Sequence, residues 1–411
     1  MNILLINHYA GSPSMGMEFR PYYLAHEWAK MGHSVTVLAA TYSHLRQRQP
    51  QVSHSWQEQE LEPNLRYVWL KTPRYTSPIR RILNIFTFVL RVHFAARRIA
   101  KHWKPDIVIA SSTYPFDIYP ARRIARRAGA RLIYEVHDLW PLTPMVVGGY
   151  SPRHPFIWLM QRAENYAYRH VDHVISLLWN AEPHMREHGL APGKFTCISN
   201  GFTPSEWETS NAEPLPELHR TLLGKLRAER RFIVGFTGGY TLSAGVYTLL
   251  KAAASLSEDP SIALVFMGDG LAKSEMEAYV SEHGLTNVHI LPPIPKRAVP
   301  TVLPSFDLAY MGSLHSVLDS YGTSMNKEID YMMGSLPIVS SVDEPNARLE
   351  REGYGLRVEA ENAPALAEAI RHLASMSPED RQAMGRKGRE YALANLAYPT
   401  LAQRMLKAMQ Q

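Results

Sequence analysis

The chain has 411 residues, of which 45% are hydrophobic and 20% charged, so it is long enough to bury two globular cores. A single cysteine, Cys197, excludes an internal disulfide framework and a cysteine-based zinc site, and it suits a reducing cytoplasm. No uninterrupted apolar run reaches the roughly 18 residues of a membrane span, and the short run after Met1 has no basic stretch before it. Neither a transmembrane helix nor a signal peptide is therefore predicted.

The net charge of +6 is unevenly distributed. Residues 1–200 carry 24 Lys and Arg against 13 Asp and Glu (+11), whereas residues 201–411 carry 20 against 25 (−5). Much of the excess lies in two basic stretches with apolar faces, residues 80–104 and 121–131. Such stretches can lie on an anionic membrane surface, and core helices with solvated basic faces are the other interpretation. No nucleic-acid motif accompanies the charge, so nucleic acid is not predicted as a partner.

Strands and helices alternate along the chain. The predicted strands cover residues 2–7, 34–39, 107–110, 131–136, 173–177 and 195–198, and then residues 232–237, 263–267, 288–291, 308–311 and 336–340. This alternation is typical of doubly wound α/β domains. We predict one such domain over residues 1–200, a linker over 201–230, a second domain over 231–386, and closing helices over 387–411 that pack back toward the first domain. Ligands of such sheets bind outside the carboxyl ends of the strands, so the site is expected in a cleft where the domains face each other.

In the first domain, two groups of residues follow strands. Gly16 lies in a glycine loop at the start of a helix, where a ligand can approach closely, and Arg20 of that helix can pair with a phosphate. The spacing is not G-x-G-x-x-G, which argues against a nicotinamide dinucleotide. His137 and Asp138 end the fourth strand, so His137 can donate to a sugar hydroxyl or phosphate while Asp138 fixes its tautomer. A plain loop glycine, a surface arginine and a histidine satisfied within its own turn are the other interpretations.

No H-E-x-x-H or comparable ligand spacing was found, so no metal is predicted. In the second domain, glycines at strand ends can form the floor of a ligand pocket; these are Gly238, Gly239 and Gly268. Each of them also suits an ordinary α/β turn. A proline-rich loop that ends at Lys296 lies where a nucleobase can stack.

The most informative segment runs from Tyr321 to Val339. It predicts a helix that starts near Asn326 and Lys327, carries Asp330 one turn further on, and ends at Gly334 before a buried strand. A helix start with a nearby lysine suits a phosphate, and the aspartate can bind a ribose diol. An amphipathic helix with a solvated Asp and Lys is the other interpretation of this segment.

The order of these motifs across nearly the whole chain resembles the retaining family-4 glycosyltransferases of the GT-B architecture. The pieces that match are the loop of Gly16 and Arg20, His137-Asp138, Asn200-Gly201, Gly238-Gly239, Val265–Gly270 and Asn326-Lys-x-x-Asp-Tyr-Met-x-x-Gly-x-Pro-Ile-Val339. Within that family the chain looks most like the bacterial surface-polysaccharide branch that contains N-acetyl-L-fucosamine transferases. Asp138–Pro141, Leu291–Lys296 and Asn326-Lys327 carry this narrower resemblance.

The resemblance implies a fold of two Rossmann-like domains, a UDP-sugar donor in the second domain and an acceptor in the first. Asp330 would bind the ribose, Ser324 would also contact the donor, and the helix start at Asn326 and Lys327 would lie near the diphosphate. His137 would orient the donor sugar or diphosphate. The family retains the anomeric configuration, and the absence of an Asp-x-Asp sequence agrees with metal-free stabilisation of the leaving group, without a cofactor.

Two positions depart from the family pattern. The family usually carries a Glu eight residues before the ribose carboxylate, where this chain has Gly322, and often a basic residue where it has Ala244-Gly245. The diphosphate would then need Arg20, Lys296 or Lys327 as its cation.

The favoured function is transfer of an N-acetylamino sugar to a polyprenyl-diphosphate-linked acceptor at the inner face of the cytoplasmic membrane. This reaction would belong to O-antigen, capsule or exopolysaccharide synthesis. A transferase with a soluble acceptor, a nucleotide-sugar epimerase of the same fold and a catalytically silent scaffold remain alternatives.

Overall fold

A computed structural model describes residues 1–16, 19–208 and 211–411. The chain divides into two compact units, the first formed by Met1–Asn200 together with Tyr398–Gln411 and the second by Gly201–Ala397. Met17 and Glu18 of the predicted glycine loop lie outside the described residues, as do residues 209–210 of the predicted linker.

The first unit contains an eight-stranded sheet in the order β3-β4-β2-β1-β5-β6-β7-β8. Its strands are β1 (Asn2–Ile6), β2 (Ser34–Ala40), β3 (Gln57–Glu62), β4 (Leu65–Leu70), β5 (Ile107–Ala110), β6 (Arg131–Val136), β7 (His173–Ser176) and β8 (Phe195–Cys197). All neighbours pair in parallel except β3, which pairs antiparallel with β4 through a register shift between Glu60 and Glu62. The strand order reverses beside β1, so β1 and β5 flank a switch point of the kind at which such sheets bind ligands.

The second unit contains a six-stranded parallel sheet in the order β11-β10-β9-β12-β13-β14. Its strands are β9 (Phe232–Thr237), β10 (Ile262–Met267), β11 (Val288–Leu291), β12 (Leu308–Gly312), β13 (Ile338–Ser341) and β14 (Gly355–Val358). Every residue of β9 and β10 is buried, because helices cover both faces of a parallel sheet. The switch point of this sheet lies between β9 and β12.

Helices connect the strands in both units. They are α1 (Phe19–Lys30), α2 (Pro78–Trp103), α3 (Ile118–Ala128), α4 (Leu142–Gly148), α5 (Pro155–His170), α6 (Glu182–Glu187), α7 (Glu217–Ala228), α8 (Val246–Ser255), α9 (Lys273–Glu282), α10 (Val299–Val302), α11 (Asn326–Met333), α12 (Arg348–Arg351), α13 (Ala363–Ser375), α14 (Pro378–Asn395) and α15 (Tyr398–Gln410). Helix α7 occupies part of the predicted linker and belongs to the second unit.

The last helix completes the core of the first unit. Leu401, Met405 and Met409 are buried in the same apolar cluster as β1 and β2, and the indole Nε1 of Trp28 donates to the carbonyl of Ala402 at 3.1 Å. The remainder of the predicted closing segment, up to Asn395, forms α14 and lies in the second unit.

The predicted class of two doubly wound α/β domains is confirmed, and every predicted strand is present to within two residues at its ends. Three strands were not predicted from the sequence, namely β3, β4 and β14. Strand β3 is largely exposed and reads Gln-Glu-Gln-Glu-Leu-Glu, which lacks the β-branched and aromatic residues that mark a strand.

Candidate functional site

The start of α11 presents a lysine that has no charged partner among the described residues. Lys327 is half-buried, and its Nζ lies 4.1 Å from the ring centroid of Phe236 at the end of β9. Among the residues that the structure describes, none provides a hydrogen-bond acceptor for this ammonium. Burial lowers the pKa of Lys327 to about 8. The ammonium is therefore poised to gain an anionic partner.

The same helix start leaves backbone donors available. The N-cap residue Met325 provides no side-chain cap for the first turn of α11, and Asn326 is exposed. Unpaired N–H groups and the helix dipole together favour an anion at this position. Ser324 precedes them in a half-buried loop. Three of the predicted donor-binding residues, Ser324, Asn326 and Lys327, therefore lie at one helix terminus.

Asp330 lies one turn further along α11 and is held without a hydrogen bond from the described part of the chain. Burial raises its pKa to about 6, against the opposing charge of Lys296 and with a small further rise from Glu206. Lys296 itself pairs with Glu206, with 3.5 Å between Nζ and Oε2. A half-buried carboxylate with open acceptor positions is what a ribose diol requires.

Two glycine turns pack backbone to backbone at the end of β9. Gly238 has a φ of 135°, and a Cβ atom there would lie 3.5 Å from Nζ of Lys327. A Cβ atom on Gly268 would lie 1.9 Å from the carbonyl oxygen of Gly238, so the two loops can meet only if residue 268 is glycine. Gly239 follows in the same turn, where a Cβ atom would make only ordinary contacts, 3.9 Å from Thr241 Cγ2 and 4.0 Å from the carbonyl oxygen of Asp269. These glycines place the β9 turn directly beside the lysine of α11.

The loop before α11 contains the position where a Glu is expected and Gly322 is found. Gly322 has a φ of 94°, which favours glycine. Two carboxylates hold this loop: Asp319 accepts from Ser313 Oγ at 2.6 Å, and Glu344 accepts from both the N–H and the hydroxyl of Thr323, at 2.9 and 3.0 Å. Asp319 and Glu344 are thus two acidic residues that contact the loop in which the family carries its Glu.

The end of α11 differs in detail from the sequence prediction. Gly334 ends the helix as expected, but its φ is −73°, and the left-handed residue is Ser335, with a φ of 56°. Gly334 is needed for space instead, since a Cβ atom there would lie 2.7 Å from Leu303.

In the first unit, His137 belongs to a polar network at the ends of β1, β5 and β6. Its Nε2 lies 3.1 Å from Ser111 Oγ and 3.5 Å from Glu135 Oε2. Ser111 donates to the same Glu135 oxygen at 2.6 Å, and Asn7 Nδ2 donates to the Ser111 carbonyl at 2.8 Å. The carboxylate beside Nε2 is therefore Glu135, a residue that the sequence did not single out, and Asp138 interacts with His137 through its charge. Burial raises the pKa of Asp138, with the charge of His137 opposing it.

Arg20, which was predicted to pair with a phosphate, instead has its guanidinium bonded within the first unit. It is buried and donates to Glu135 through Nε at 2.9 Å, and to the carbonyls of Ser199 and Ile198 at 2.6 and 2.9 Å. Arg20 and the hydrogen bonds from His137 and Ser111 together hold the pKa of Glu135 well below its usual range, although burial opposes them. Arg20 is thus a buried partner of Glu135, and a phosphate contact is not expected of it.

Gly16 has a φ of 64°, and a Cβ atom there would lie 2.8 Å from the Gln47 side chain. The close approach predicted at Gly16 is therefore made by the Gln47 side chain.

Glu135 was missed in the sequence because a buried carboxylate inside an apolar strand carries no motif of its own.

The two predicted basic stretches form α2 and α3. On α3, paired arginines line a pocket together with His93 and two tyrosines; these residues are Arg122, Arg123, Arg126, Arg127, Tyr119 and Tyr166. On α2, the apolar side chains of Ile79, Leu83, Leu90 and Phe94 are exposed. No helix in the described residues is both long enough and apolar enough to cross a membrane.

The comparisons with known proteins agree with this geometry. Residues 15–201 match the glycosyl transferase 4-like domain, and residues 223–391 match the glycosyl transferases group 1. Sucrose-phosphate synthase from Thermosynechococcus elongatus superposes with a TM-score of 0.73 at 18% identity, over 100% of this chain and 98% of that one. No curated protein matches the chain by sequence.

Two further solved structures extend the comparison. Anabaena HepE, solved in complex with UDP and glucose, has a TM-score of 0.68 at 16% identity and is covered completely, as is this chain. WaaG, a glycosyltransferase involved in lipopolysaccharide biosynthesis, has a TM-score of 0.67 at 16% identity, with 99% of each chain covered. Two consecutive glycosyltransferase domains and this fold define a GT-B glycosyltransferase, and the chain belongs to that class. It joins a glycosyl transferase 4-like domain to a group 1 domain.

Proposed function

We propose that this glycosyltransferase moves a sugar, an N-acetylamino sugar, from a UDP-sugar to a lipid-linked acceptor in cell-surface polysaccharide synthesis, with retention of configuration. The observation that carries the donor part is the start of α11, where Lys327 and Asp330 both lack hydrogen-bonded partners among the described residues. UDP in the HepE structure and the role of WaaG in lipopolysaccharide biosynthesis support the choice of donor and pathway.

Each half of a nucleoside diphosphate has a counterpart on α11. The diphosphate accepts hydrogen bonds from the first backbone N–H groups and an ion pair from Lys327, and the ribose diol donates to Asp330. Lys296 lies close enough to Asp330 to lower its pKa, and it is the second cation at this site. These groups stabilise the charge that develops on the leaving diphosphate.

The proposed transfer step retains the configuration at the anomeric carbon. The bond between the anomeric carbon and the diphosphate oxygen breaks, and the acceptor hydroxyl forms its bond to the same face of that carbon. The hydroxyl proton passes to the departing diphosphate, which acts as the base. His137, oriented by Ser111 and Glu135, donates a hydrogen bond to the donor sugar or diphosphate.

Calorimetric titration tests the donor site. Purified protein in EDTA is titrated with UDP, GDP and dTDP, and the Asp330→Ala variant is titrated with UDP. Selective binding of UDP that is lost in the variant supports the proposal. Lys327→Ala should weaken UDP binding far more than Lys273→Ala, which removes the corresponding charge from the start of α9. Equal curves for the two lysine variants would refute the assignment of Lys327.

The lipid-linked acceptor is supported by the exposed side of α2. Ile79, Leu83, Leu90 and Phe94 are between 49% and 80% exposed, and their spacings of four, seven and four residues put them on one side of the helix. Exposed basic residues flank them, namely Arg80, Arg91, Arg97, Arg98 and Lys101. An apolar strip beside basic residues is the pattern of a helix that lies in the surface of an anionic membrane.

Flotation with vesicles tests this part separately. The wild-type chain should float with vesicles that contain anionic phospholipid, and a Leu83→Ser/Phe94→Ser variant should remain in solution. The matched control is Leu218→Ser/Leu271→Ser, which changes two exposed leucines of the second unit. Equal flotation of both variants would argue for a soluble acceptor. On the basis of the apolar strip and basic residues of α2, we propose that the enzyme is a peripheral protein at the inner face of the cytoplasmic membrane.

A further inference from the structure

Three potential metal ligands come together in the first unit, outside the residues assigned to donor, acceptor or membrane. Glu164 lies on α5, His184 on α6, and His188 directly after α6. One ligating atom from each lies within 4.8 Å of the other two. No metal was predicted because the sequence lacks H-E-x-x-H, yet these histidines have the His-x-x-x-His spacing that places both rings on one side of a helical turn.

The closest pair already has the separation that a metal imposes. His184 Nε2 lies 3.2 Å from Glu164 Oε1. Two nitrogen or oxygen ligands around a tetrahedral zinc, each at about 2.0–2.1 Å, lie roughly 3.3 Å from each other. The His188 ring is half-buried and packs against His184 with 4.3 Å between centroids, and its ligating atom lies within 4.8 Å of the other two.

Neighbouring groups orient the ligands in the way that metal sites require. His188 Nδ1 lies 2.9 Å from the carbonyl oxygen of His184, which can only accept, so Nδ1 carries the proton and Nε2 presents its lone pair. Glu164 is almost fully buried and is fixed by Tyr168 OH at 3.0 Å and by Gln161 Nε2 at 2.7 Å. A buried carboxylate held by two donors is preorganised for one further partner.

We propose that Glu164, His184 and His188 bind a divalent transition metal, with zinc as the preferred ion and water as the fourth ligand. Two imidazoles and one carboxylate are a donor set that zinc uses with one open position. The ion joins α5 to α6 and stabilises the first unit without taking part in sugar transfer.

Metal titration of the tag-free full-length chain tests this proposal. The protein is stripped with EDTA, dialysed, and titrated with Co²⁺ while its visible absorption is recorded, and then with Zn²⁺ in competition. The decisive variant is His188→Ala, because residue 188 is half-buried and its replacement leaves the buried Glu164 paired with His184. The matched control is His283→Ala. His283 likewise follows a helix, and its Nδ1 bonds the carbonyl four residues earlier at 2.9 Å.

The wild-type chain should bind one equivalent of Co²⁺ with the intense bands of a four-coordinate site, and Zn²⁺ should displace it. His188→Ala should weaken binding at least about tenfold, whereas His283→Ala should not. Zn²⁺ should also raise the melting temperature of the wild type and not that of His188→Ala. Affinity that is equal in the wild type and His188→Ala, or the weak bands of six-coordinate cobalt, would show that the cluster is a hydrogen-bonded network only.

Discussion

Replacing Asp330 with Asn should stabilise the free protein while impairing UDP binding. Asp330 is half-buried without a hydrogen bond from the described residues, and its pKa is raised from 3.8 to about 6. A shift of this size corresponds to about 3 kcal/mol of differential stabilisation at most, and partial solvent exposure reduces it to about 1–3 kcal/mol. Asn removes that cost because it carries no charge, so the variant should unfold at higher urea concentration than the wild type at neutral pH.

The raised pKa of Asp330 also determines how the stability of the wild type changes with pH. Between about pH 4 and pH 6, the folded chain keeps the Asp330 proton while the unfolded chain loses it, so the wild type loses stability as the pH rises through that range. The stability difference between Asp330→Asn and wild type should therefore be near zero below pH 4, grow up to pH 6, and remain constant above it. Urea unfolding at several pH values measures this directly.

The same substitution should cost UDP affinity. Loss of a charge-assisted hydrogen bond is worth about 1.5–3 kcal/mol, or roughly 10–100-fold in the dissociation constant. Glu258→Gln, which neutralises an exposed acid in the same unit, is the control and should change neither property. Two results would refute this interpretation of Asp330. One is an Asp330→Asn variant that is less stable than the wild type at neutral pH, and the other is a variant that binds UDP normally.

Three further predictions concern α11 and its surroundings. UDP affinity should decrease as the pH rises through about 8, by about tenfold one unit above that pKa, because only protonated Lys327 pairs with the diphosphate; titrations with Lys327→Ala should lack this dependence. Arg348→Ala should destabilise the protein by about 3 kcal/mol in urea unfolding, since it leaves Glu328 buried with Tyr354 as its remaining partner, whereas Arg348→Lys should cost less. Ser335→Gly should raise stability by about 1 kcal/mol, because residue 335 has a φ of 56°, and Ser335→Ala should give no such gain.

The fold was predictable because the buried strands are short apolar runs bounded by turn residues, and helices separate most of them. Strands β9 and β10 are buried at every position, so their sequences show little besides apolar residues. Strand β3 was not predicted because its pairing with β4 is decided by the neighbouring strand and not by its own side chains. Strand β14 starts at Gly355, a residue disfavoured in strands, which hid it as well.

The candidate site was predictable where its residues are close in sequence. Asn326, Lys327 and Asp330 share one helix, so their spacing alone put them together. Arg20 was misassigned because its partner, Glu135, is distant in sequence and lies on another element, β6. Pairings of this kind depend on how the strands are ordered in the sheet, and a single sequence does not contain that order.

Helix α15 gives this chain a particular order of events during synthesis. The ribosome makes the second unit as one continuous stretch, from Gly201 to Ala397, before it makes the segment that carries Leu401, Met405 and Met409. The apolar surface that these side chains cover in the first unit, beside Trp28, therefore stays unprotected until α15 has been made. Assembly of the first unit is therefore delayed until the whole second unit has been synthesised, and exposed surface of this kind is what chaperones bind.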